Sequence, residues 1–417
     1  MKGFSMKKRR KIFLYTLSGI AIFMYVIFTL SNQFGNSKYF LPIKRFFFAP
    51  KVSVVMSTYN RASVLPIAIE SILNQTYTDF EFIIINDGSK DNTDEVIKYY
   101  AEEDARIIHL TNETNQGLIY SLNRGLDLAK GKYIARMDDD DKSVAFRLER
   151  QVKAMDMHPD IVVMGSGIIG RDTIPHKNKE EPVIEDADKV ELNTYFSSGL
   201  AHPTIIIRRD FLEQHHVRYN PEYLYAEDCG LYKDILNFGG KISTMKEGLL
   251  HFHYTSGLSH PKDYGHIQGE TFKKIQKEKL TPFFDVPYEM LGAFKSIENK
   301  CEILKKMVVT NKTKQILNQS VLENMEIEVC SKAVEMKKAI MVEHPYWEDY
   351  IFVNPDSSFF RLNVRTETGK IQKNKDQTVT LRWKNWKPEV FRIKNGKHYV
   401  YLRDESGEVK KPRTSQK

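Results

Sequence analysis

The chain has 417 residues, of which 41% are hydrophobic and 28% are charged. A chain of this length and composition can bury a packed core and has room for two domains. The formal net charge is +8, but six cations and no acid lie within residues 1–11. Because the remaining positive charge is small, the composition argues against a protein that binds nucleic acid.

An uncharged apolar segment, residues 12–30, follows this basic tail. A helix of that length spans about 30 Å, which matches the hydrocarbon core of a bilayer. A cleaved signal peptide is the alternative, but the apolar run is long for one and no clear small-residue cleavage site follows it. We therefore expect a transmembrane anchor with a cytoplasmic N-terminus, and a stem over residues 31–50. The rest of the chain would lie in a Golgi-type lumen in a eukaryote, or at the inner membrane of the cell envelope in a bacterium.

The cysteines of the chain are Cys229, Cys301 and Cys330. They are too few for a disulfide framework and lack the spacing of metal ligands. We therefore expect them to be buried core thiols. A disulfide between Cys301 and Cys330 is possible in an oxidising lumen, and the sequence leaves that pairing open.

Predicted strands and helices alternate over the first half of the chain. Apolar runs rich in β-branched residues predict buried strands, and the segments between them have the spacing of helices. The predicted strands are Val52–Met56, Phe80–Ile85, Ile107–Leu110 and Tyr133–Met137, and the predicted helices are 63–75, 91–101 and 118–129. This order predicts an α/β fold with a mostly parallel sheet flanked by helices, over residues 51–280. Ligands of such sheets bind beyond the carboxyl ends of the strands.

The pattern changes after the α/β region. Residues 281–345 are rich in lysine and have the spacing of helices, whereas residues 346–403 contain short strand-like runs separated by turn signals. This predicts a helical extension followed by a small β-rich module. Residues 404–417 are polar and predict a disordered tail. Trp383 and Trp386 lie in the β-rich module, where they could form a sugar-stacking platform or belong to the core of a small sheet.

Four consecutive aspartates, Asp138–Asp141, follow a predicted buried strand. Their carboxylates repel one another, and a solvated acidic turn is the simplest interpretation. A divalent cation would offset the repulsion, because one or two carboxylates together with substrate phosphates are common ligands of Mg²⁺ and Mn²⁺. Such an ion could bridge a diphosphate and stabilise it as a leaving group.

Other polar positions allow two interpretations each. Asp87 follows the second predicted strand, where it could contact a nucleotide or belong to an ordinary turn. Glu227 and Asp228 lie at a predicted helix start, which favours acids electrostatically, but a carboxylate beside an acceptor hydroxyl could be a general base. His251 and His253 share one face of an extended segment, and one of them could complete a metal site.

Taken together, the segments resemble the catalytic domain of glycosyltransferase family 2 over about residues 51–260. The segments that carry the resemblance are VSVVMSTYNR, SILNQTYTDFEFIIINDGSKDNT, NQGLIYSLNRGLDLAKGKYIARMDDDD, RLERQ, AHPTIIIRR and AEDCGLY. The resemblance implies a GT-A fold, in which an α/β domain binds a nucleotide-diphosphate sugar and its second half binds the acceptor.

The resemblance also implies roles for individual residues. The implied nucleotide-sugar-binding residues are Thr58, Tyr59, Asp87 and Asp138, the candidate metal ligands are Asp140, Asp138 and His253, and the implied catalytic base is Asp228. Arg147 and Gln151 lie in the matching RLExQ helix and are expected to be structural. Asp139 stands where the family often has a small residue, so the choice of metal-binding aspartates is open. The family's Tyr-Arg-x-His pattern is altered near His253, which leaves its role open as well.

We therefore predict an inverting, metal-dependent glycosyltransferase of the hexosyl or N-acetylhexosaminyl type, with inversion implied by the resemblance. It would use Mn²⁺ or Mg²⁺ and a nucleotide-diphosphate sugar, expected to be UDP-linked, and would modify a hydroxyl of a glycan, lipid or protein. A nucleotide-sugar-binding protein without turnover is one alternative, which the pair Asp138 and Asp140, together with Asp228, argues against. A nucleotidyltransferase on a related fold is the other, but a glycine-rich phosphate loop does not follow the first strand.

Overall fold

The computed structural model divides the chain into two compact units, residues 1–292 and 293–417. The described residues of the first unit are Val26, Thr29, 49–169, 181–251 and 264–283. Those of the second unit are 297–338, 340–344, 347–353, 358–361, 368–374, 378–384, 387–395 and 398–404.

The predicted transmembrane segment, residues 12–30, lies outside the described residues apart from Val26 and Thr29. Among the helices that the structure describes, none is both long enough and apolar enough to cross a bilayer. The membrane anchor and the stem that follows it stay predictions.

Strands of the first unit form one mixed sheet. Within the described residues they are β1 (Val52–Thr58), β2 (Phe80–Asn86), β3 (Ile107–Thr111), β4 (Tyr133–Arg136), β5 (Lys142–Ser143), β6 (Ile161–Ile169), β7 (Ile206–Arg208) and β8 (Lys241–His251). Their order across the sheet is β3-β2-β1-β4-β7-β6-β8-β5. The strands β1 to β4 are parallel, whereas β7 is antiparallel to β4 and β6. The predicted α/β fold is confirmed, with a sheet that is mixed rather than parallel throughout.

Helices cover both faces of this sheet. In the described part of the first unit they are α1 (Leu65–Leu73), α2 (Thr93–Glu103), α3 (Leu118–Leu128), α4 (Arg147–Met157), α5 (Ala187–Thr194), α6 (Arg209–Gln214), α7 (Glu227–Asn237) and α8 (Tyr264–Leu280). Successive strand residues point to opposite faces, and β2, with the sequence FEFIIIN, is buried along its whole length. Phe82 and Ile84 pack in a core cluster with α1 and α4, whereas Ile83 and Ile85 pack in a second cluster with α3 and α7.

The parallel strands bring their carboxyl ends to one edge of the sheet. The backbone N–H of Asp87 donates to the Thr58 carbonyl at 2.9 Å, and that of Met137 donates to the Val55 carbonyl at 3.1 Å. The segments that leave β1, β2 and β4 are therefore neighbours. Polar residues that are far apart in the sequence therefore lie close together at this edge, where ligands of such sheets bind.

The second unit combines two helices with a closed sheet. A disulfide between Cys301 and Cys330 links α9 (Ile297–Lys314) to α10 (Gln319–Lys338), a pairing that the sequence left open. The strands of the described residues are β9 (Ile340–His344), β10 (Trp347–Val353), β11 (Ser358–Arg361), β12 (Thr368–Lys373), β13 (Thr378–Trp383), β14 (Glu389–Asn395) and β15 (His398–Asp404). They close in the order β10-β11-β12-β13-β14-β15-β9.

The structure corrects the boundary between the helical extension and the β-rich module. The helical region was predicted to reach residue 345, but β9 already begins at Ile340. This strand pairs with β10 on one side and with β15 on the other, and these pairings favour the extended conformation of its apolar start. Trp383 packs in the core of the closed sheet with Val342 and Phe391, whereas Trp386 lies outside the described residues.

The disulfide should stabilise the second unit. It closes a loop with a sequence separation of 29, for which the loss of chain entropy in the unfolded state predicts about 3–4 kcal/mol. We expect Cys301→Ala to lower the unfolding free energy by about that amount. The tryptophans of the chain, Trp347, Trp383 and Trp386, all belong to the second unit, so guanidinium unfolding followed by tryptophan fluorescence reports on it.

Cys229→Ala is the matched control, because Cys229 is a free, buried thiol of the first unit. We expect this variant to leave the fluorescence transition unchanged. Equal transition midpoints for Cys301→Ala and the wild type under non-reducing conditions would contradict a stabilising disulfide.

Candidate active site

Asp87 holds the segment that leads into α3. Its Oδ1 accepts hydrogen bonds from Asn112 Nδ2 at 2.7 Å and from the Gln116 N–H at 2.9 Å, and its Oδ2 accepts one from the Gly117 N–H at 2.8 Å. Gly117 has a φ of 88°, which suits the turn into the helix. The structure thus gives Asp87 a positioning role, and its predicted contact with a nucleotide stays a prediction.

Thr58 and Tyr59 lie where β1 ends. Thr58 is buried, whereas Tyr59 is 40% exposed. The next residue, Asn60, joins the two neighbouring loops: its N–H donates to Ser89 Oγ at 3.0 Å, and its Oδ1 accepts from the Lys90 N–H at 2.7 Å. The loops after β1 and β2 therefore form one wall of the site.

Buried arginines lie beside the two ends of the aspartate run. Asp138 forms an ion pair with Arg136, and the buried Asp141 interacts electrostatically with Arg147. Arg136 is 5% exposed and Arg147 is fully buried. A buried guanidinium needs a compensating negative charge as much as the carboxylates need a positive one, so each group offsets the desolvation of the other.

Arg61 lies beside the two middle aspartates of the same run. Its Nε lies 3.6 Å from Asp139 Oδ1, and its Nη2 lies 3.8 Å from Asp140 Oδ2. Burial raises the pKa of Asp139 to about 7, while the Thr58 hydroxyl and Arg61 act in the opposite direction. The arginine thus comes from the loop after β1 and reaches across to the loop after β4.

The helix α4 fixes the end of β4 through Arg147 and Gln151. Arg147 Nη2 donates to the Arg136 carbonyl at 2.7 Å, and its Nε donates to Gln151 Oε1 at 2.9 Å. Gln151 Nε2 in turn donates to the Thr204 carbonyl at 2.6 Å. These contacts join β4, α4 and the turn before β7, so Arg147 and Gln151 have the structural role that was expected for them.

Glu227 and Asp228 begin α7 at the same edge. Asp228 Oδ1 accepts a hydrogen bond from the Cys229 N–H at 2.8 Å, which orients the carboxylate. Burial raises the pKa of Asp228 above its usual range. Burial and the neighbouring charge of Asp228 raise the pKa of Glu227 to about 7. A carboxylate with a raised pKa is a better proton acceptor than an ordinary surface aspartate.

Arg136 connects the aspartate run with the Glu227–Asp228 pair. Residues i and i+2 of a strand share a face, and Ile134 packs in the cluster formed with α3 and α7; Arg136 therefore lies on that face too. Burial disfavours its charged form, but Asp138 and Glu227 outweigh burial and raise the pKa of Arg136. Its Nε and Nη1 have no hydrogen-bond partner in the described part of the chain.

A neutral histidine borders this cluster. His202 Nε2 lies 2.8 Å from the Tyr219 hydroxyl, and Tyr219 is tied to Asn123 by reciprocal hydrogen bonds of 2.8 and 2.9 Å. Burial, reinforced by the nearby Arg136, lowers the pKa of His202 well below its usual range. His202 therefore serves as a packed hydrogen-bonding group rather than as a charged one.

Sequence reasoning missed Arg61, Arg136 and Tyr219 as members of the site. A signal for Arg136 was present, because it is the last residue of β4 and lies two residues before Asp138. Arg61 and Tyr219 carry no comparable local signal, since their partners are distant in the sequence and become neighbours only when the sheet forms.

The predicted metal ligands are brought together only in part. The side chains of Asp138 and Asp140 are 30% and 16% exposed, so both are partly accessible. Within the described ranges no group of three or more His, Cys, Asp or Glu side chains is arranged to hold a metal ion, and His253 lies outside those ranges. Mg²⁺ and Mn²⁺ commonly combine one or two carboxylates with phosphate oxygens and water. Asp138 and Asp140 therefore fit a cation that is shared with a diphosphate.

Comparison with known proteins identifies the class of this site. Residues 53–216 match the model of Glycosyl transferase family 2. An uncharacterised glycosyltransferase of Haemophilus influenzae is 33% identical over 250 residues, which are 57% of this chain and 75% of that protein. The O-antigen biosynthesis glycosyltransferase WbnJ of Escherichia coli is 36% identical over 165 residues, 39% of this chain and 63% of that protein. The solved structure of S. aureus TarS 1–349 in complex with UDP-GlcNAc aligns with a TM-score of 0.44 and 19% identity, covering 68% of this chain and 88% of that one.

The chain belongs to glycosyltransferase family 2. It is a glycosyltransferase, and its α/β unit has a GT-A-like fold.

If Asp228 is the general base that the family resemblance implies, the activity should decline on the acid side with a midpoint well above pH 4, the ordinary pKa of an aspartate. A general base works in its deprotonated form, and burial raises the pKa of both Asp228 and Glu227. These carboxylates therefore hold a proton to a higher pH, and activity is lost as the pH falls through the raised pKa. The measurement is kcat against pH at saturating donor and acceptor.

Arg136→Met provides the test of the cause. Arg136 lowers the pKa of both Glu227 and Asp228, so its removal should move the acid midpoint upward by about one pH unit. Arg150→Met is the matched control, because it removes a buried arginine that pairs with Glu247 at 2.6 and 2.8 Å. A midpoint that Arg136→Met leaves in place would contradict this electrostatic link.

Proposed function

We propose that the chain is an inverting glycosyltransferase that moves a sugar from a nucleoside-diphosphate donor, expected to be UDP-linked, to an acceptor hydroxyl. One observation carries this proposal. The aspartate run after β4 and the Glu227–Asp228 pair of α7 belong to one buried electrostatic cluster around Arg136. A site that handles a diphosphate leaving group and a proton acceptor side by side suits direct displacement at an anomeric carbon.

The donor is proposed to bind at the carboxyl edge of β1, β2 and β4. The exposed ring of Tyr59 offers a surface for the base, and Thr58 and Asp87 lie beside it. The carboxylates of Asp138 and Asp140 face the diphosphate. A divalent ion, Mn²⁺ or Mg²⁺, held by these carboxylates and the diphosphate would neutralise the charge of the leaving group.

Asp228 is proposed to act as the general base. The Cys229 N–H orients the carboxylate through one of its oxygens, and the acceptor hydroxyl is proposed to bind to this carboxylate. Asp228 takes the proton of the acceptor hydroxyl as its oxygen bonds to the anomeric carbon, while the bond from that carbon to the diphosphate breaks on the opposite face. The sugar configuration is inverted in one step, and the proton stays on the carboxylate.

For the acceptor, we propose a sugar hydroxyl of a glycan. WbnJ is named an O-antigen biosynthesis glycosyltransferase, and its similarity to this chain supports a glycan rather than a protein acceptor. The basic tail and the apolar segment 12–30 support attachment to a membrane. We propose the inner membrane of a cell envelope as the location.

Replacing the base should remove chemistry and leave donor binding intact. Asp228→Asn keeps the size of the side chain but removes the proton acceptor, so kcat for transfer should fall by roughly 10²–10⁴-fold. The dissociation constant of the donor should change little, because the diphosphate is held elsewhere. Loss of donor binding together with wild-type turnover at saturation would make Asp228 a donor ligand, and Glu227 would become the candidate base.

Asp140→Asn should show the opposite pattern. This change weakens a ligand of the cation and, through it, the diphosphate, so the metal requirement and the apparent donor constant should both rise. Wild-type activity in excess chelator would overturn the metal requirement altogether. Measuring both variants side by side separates the binding of metal and donor, assigned to Asp140, from the proton transfer assigned to Asp228.

A further inference from the structure

Arg61 is anchored by its backbone but not by its side chain. Its N–H donates to Thr93 Oγ1 at 2.9 Å, and its carbonyl accepts from the Val64 and Leu65 N–H groups at 3.0 Å. The guanidinium is far less well bound. Its separations of 3.6 and 3.8 Å from the aspartate oxygens exceed the 2.7–2.9 Å typical of charge-assisted hydrogen bonds.

The guanidinium of Arg61 also has unused donor capacity. The residue is 8% exposed, and its Nη1 has no hydrogen-bond partner among the residues that the structure describes. A buried donor without a partner is costly, and the cost disappears when a ligand supplies the acceptor. The planar fork of arginine matches phosphate oxygens particularly well.

The position of Arg61 determines what that ligand is. It follows β1 at the carboxyl edge of the sheet, and its guanidinium faces Asp139 and Asp140. A divalent cation at Asp140 would compete with Arg61 for the same carboxylates, since both bring positive charge to them. Once the cation has taken that role, the nearest anion of suitable geometry is the diphosphate of a bound donor.

We propose that Arg61 exchanges partners during the binding of cation and donor. Without a cation it compensates the charge of Asp139 and Asp140, and with a cation on Asp140 it binds oxygens of the donor diphosphate. Arg61 is then a donor-binding residue and an internal competitor of the metal. This inference rests on the proposed function, because it requires a nucleoside-diphosphate donor.

The exchange makes two predictions of opposite sign for Arg61→Gln. Mn²⁺ alone should bind more tightly than to the wild type, by roughly 3- to 10-fold, because a competing positive charge is gone. UDP at saturating Mn²⁺ should bind about 10- to 100-fold more weakly, the usual effect of losing hydrogen bonds to a charged group. Free Mn²⁺ is measured by electron paramagnetic resonance, and UDP binding by calorimetry, with GDP as a second nucleotide.

Two further variants separate the role of the guanidinium group from the effect of a positive charge alone and from the loss of any buried arginine. Arg61→Lys keeps the charge but not the fork, so it should restore the wild-type affinity for Mn²⁺ and only part of the affinity for UDP. Arg106→Gln is the matched control: Arg106 is buried and pairs with Asp104 through Nε at 3.0 Å and Nη2 at 2.7 Å, before β3 begins. It should change neither constant.

Three other outcomes would contradict the exchange or the proposed function on which it rests. If Arg61→Gln weakens both ligands, Arg61 only supports the fold of the loop and the exchange is wrong. If Mn²⁺ binds more tightly but UDP and GDP bind as before, Arg61 is a counter-ion only and the exchange is again wrong. If the wild type binds neither nucleotide with Mn²⁺ present, the proposed function itself fails.

Discussion

Four adjacent carboxylates at the end of a buried strand repel one another, and the rest of the site is arranged around that repulsion. Arg61, Arg136 and Arg147 come from three different parts of the chain, and each interacts with a different member of the run. Each arginine is itself buried and would be costly without a negative partner. The carboxylates and guanidinium groups thus form one electrostatic unit, and the proposed exchange of partners by Arg61 follows from this arrangement.

The sheet makes this unit possible. The parallel strands β1, β2 and β4 end at one edge, and α7 adds Glu227 and Asp228 there from later in the chain. Arg136 belongs both to the end of β4 and to the surroundings of the Asp228 carboxylate. The groups proposed for diphosphate binding and for proton transfer therefore both depend on the end of β4. The helix α4 holds this strand end in place through Arg147.

Much of this could be predicted from the sequence because it depends on local patterns. The apolar run of β2 and the position of Asp138 at a strand end follow from periodicity and from the order of the motifs. The arginine contacts could not be predicted in the same way, since the partners of Arg61 lie far along the chain. The start of β9 was missed because pairing with β10 and β15 decides it, and a predicted helix pattern contains no information about those pairings.

The central claim is that this site breaks the bond between a sugar and a nucleoside diphosphate. It is tested most directly by identifying the products formed from a panel of nucleotide sugars in the presence of Mn²⁺ and glycan acceptors. The account predicts release of nucleoside diphosphate in equal amount to the sugar transferred, with inverted anomeric configuration. Release of pyrophosphate, retention of configuration, or tight donor binding without any turnover would contradict it.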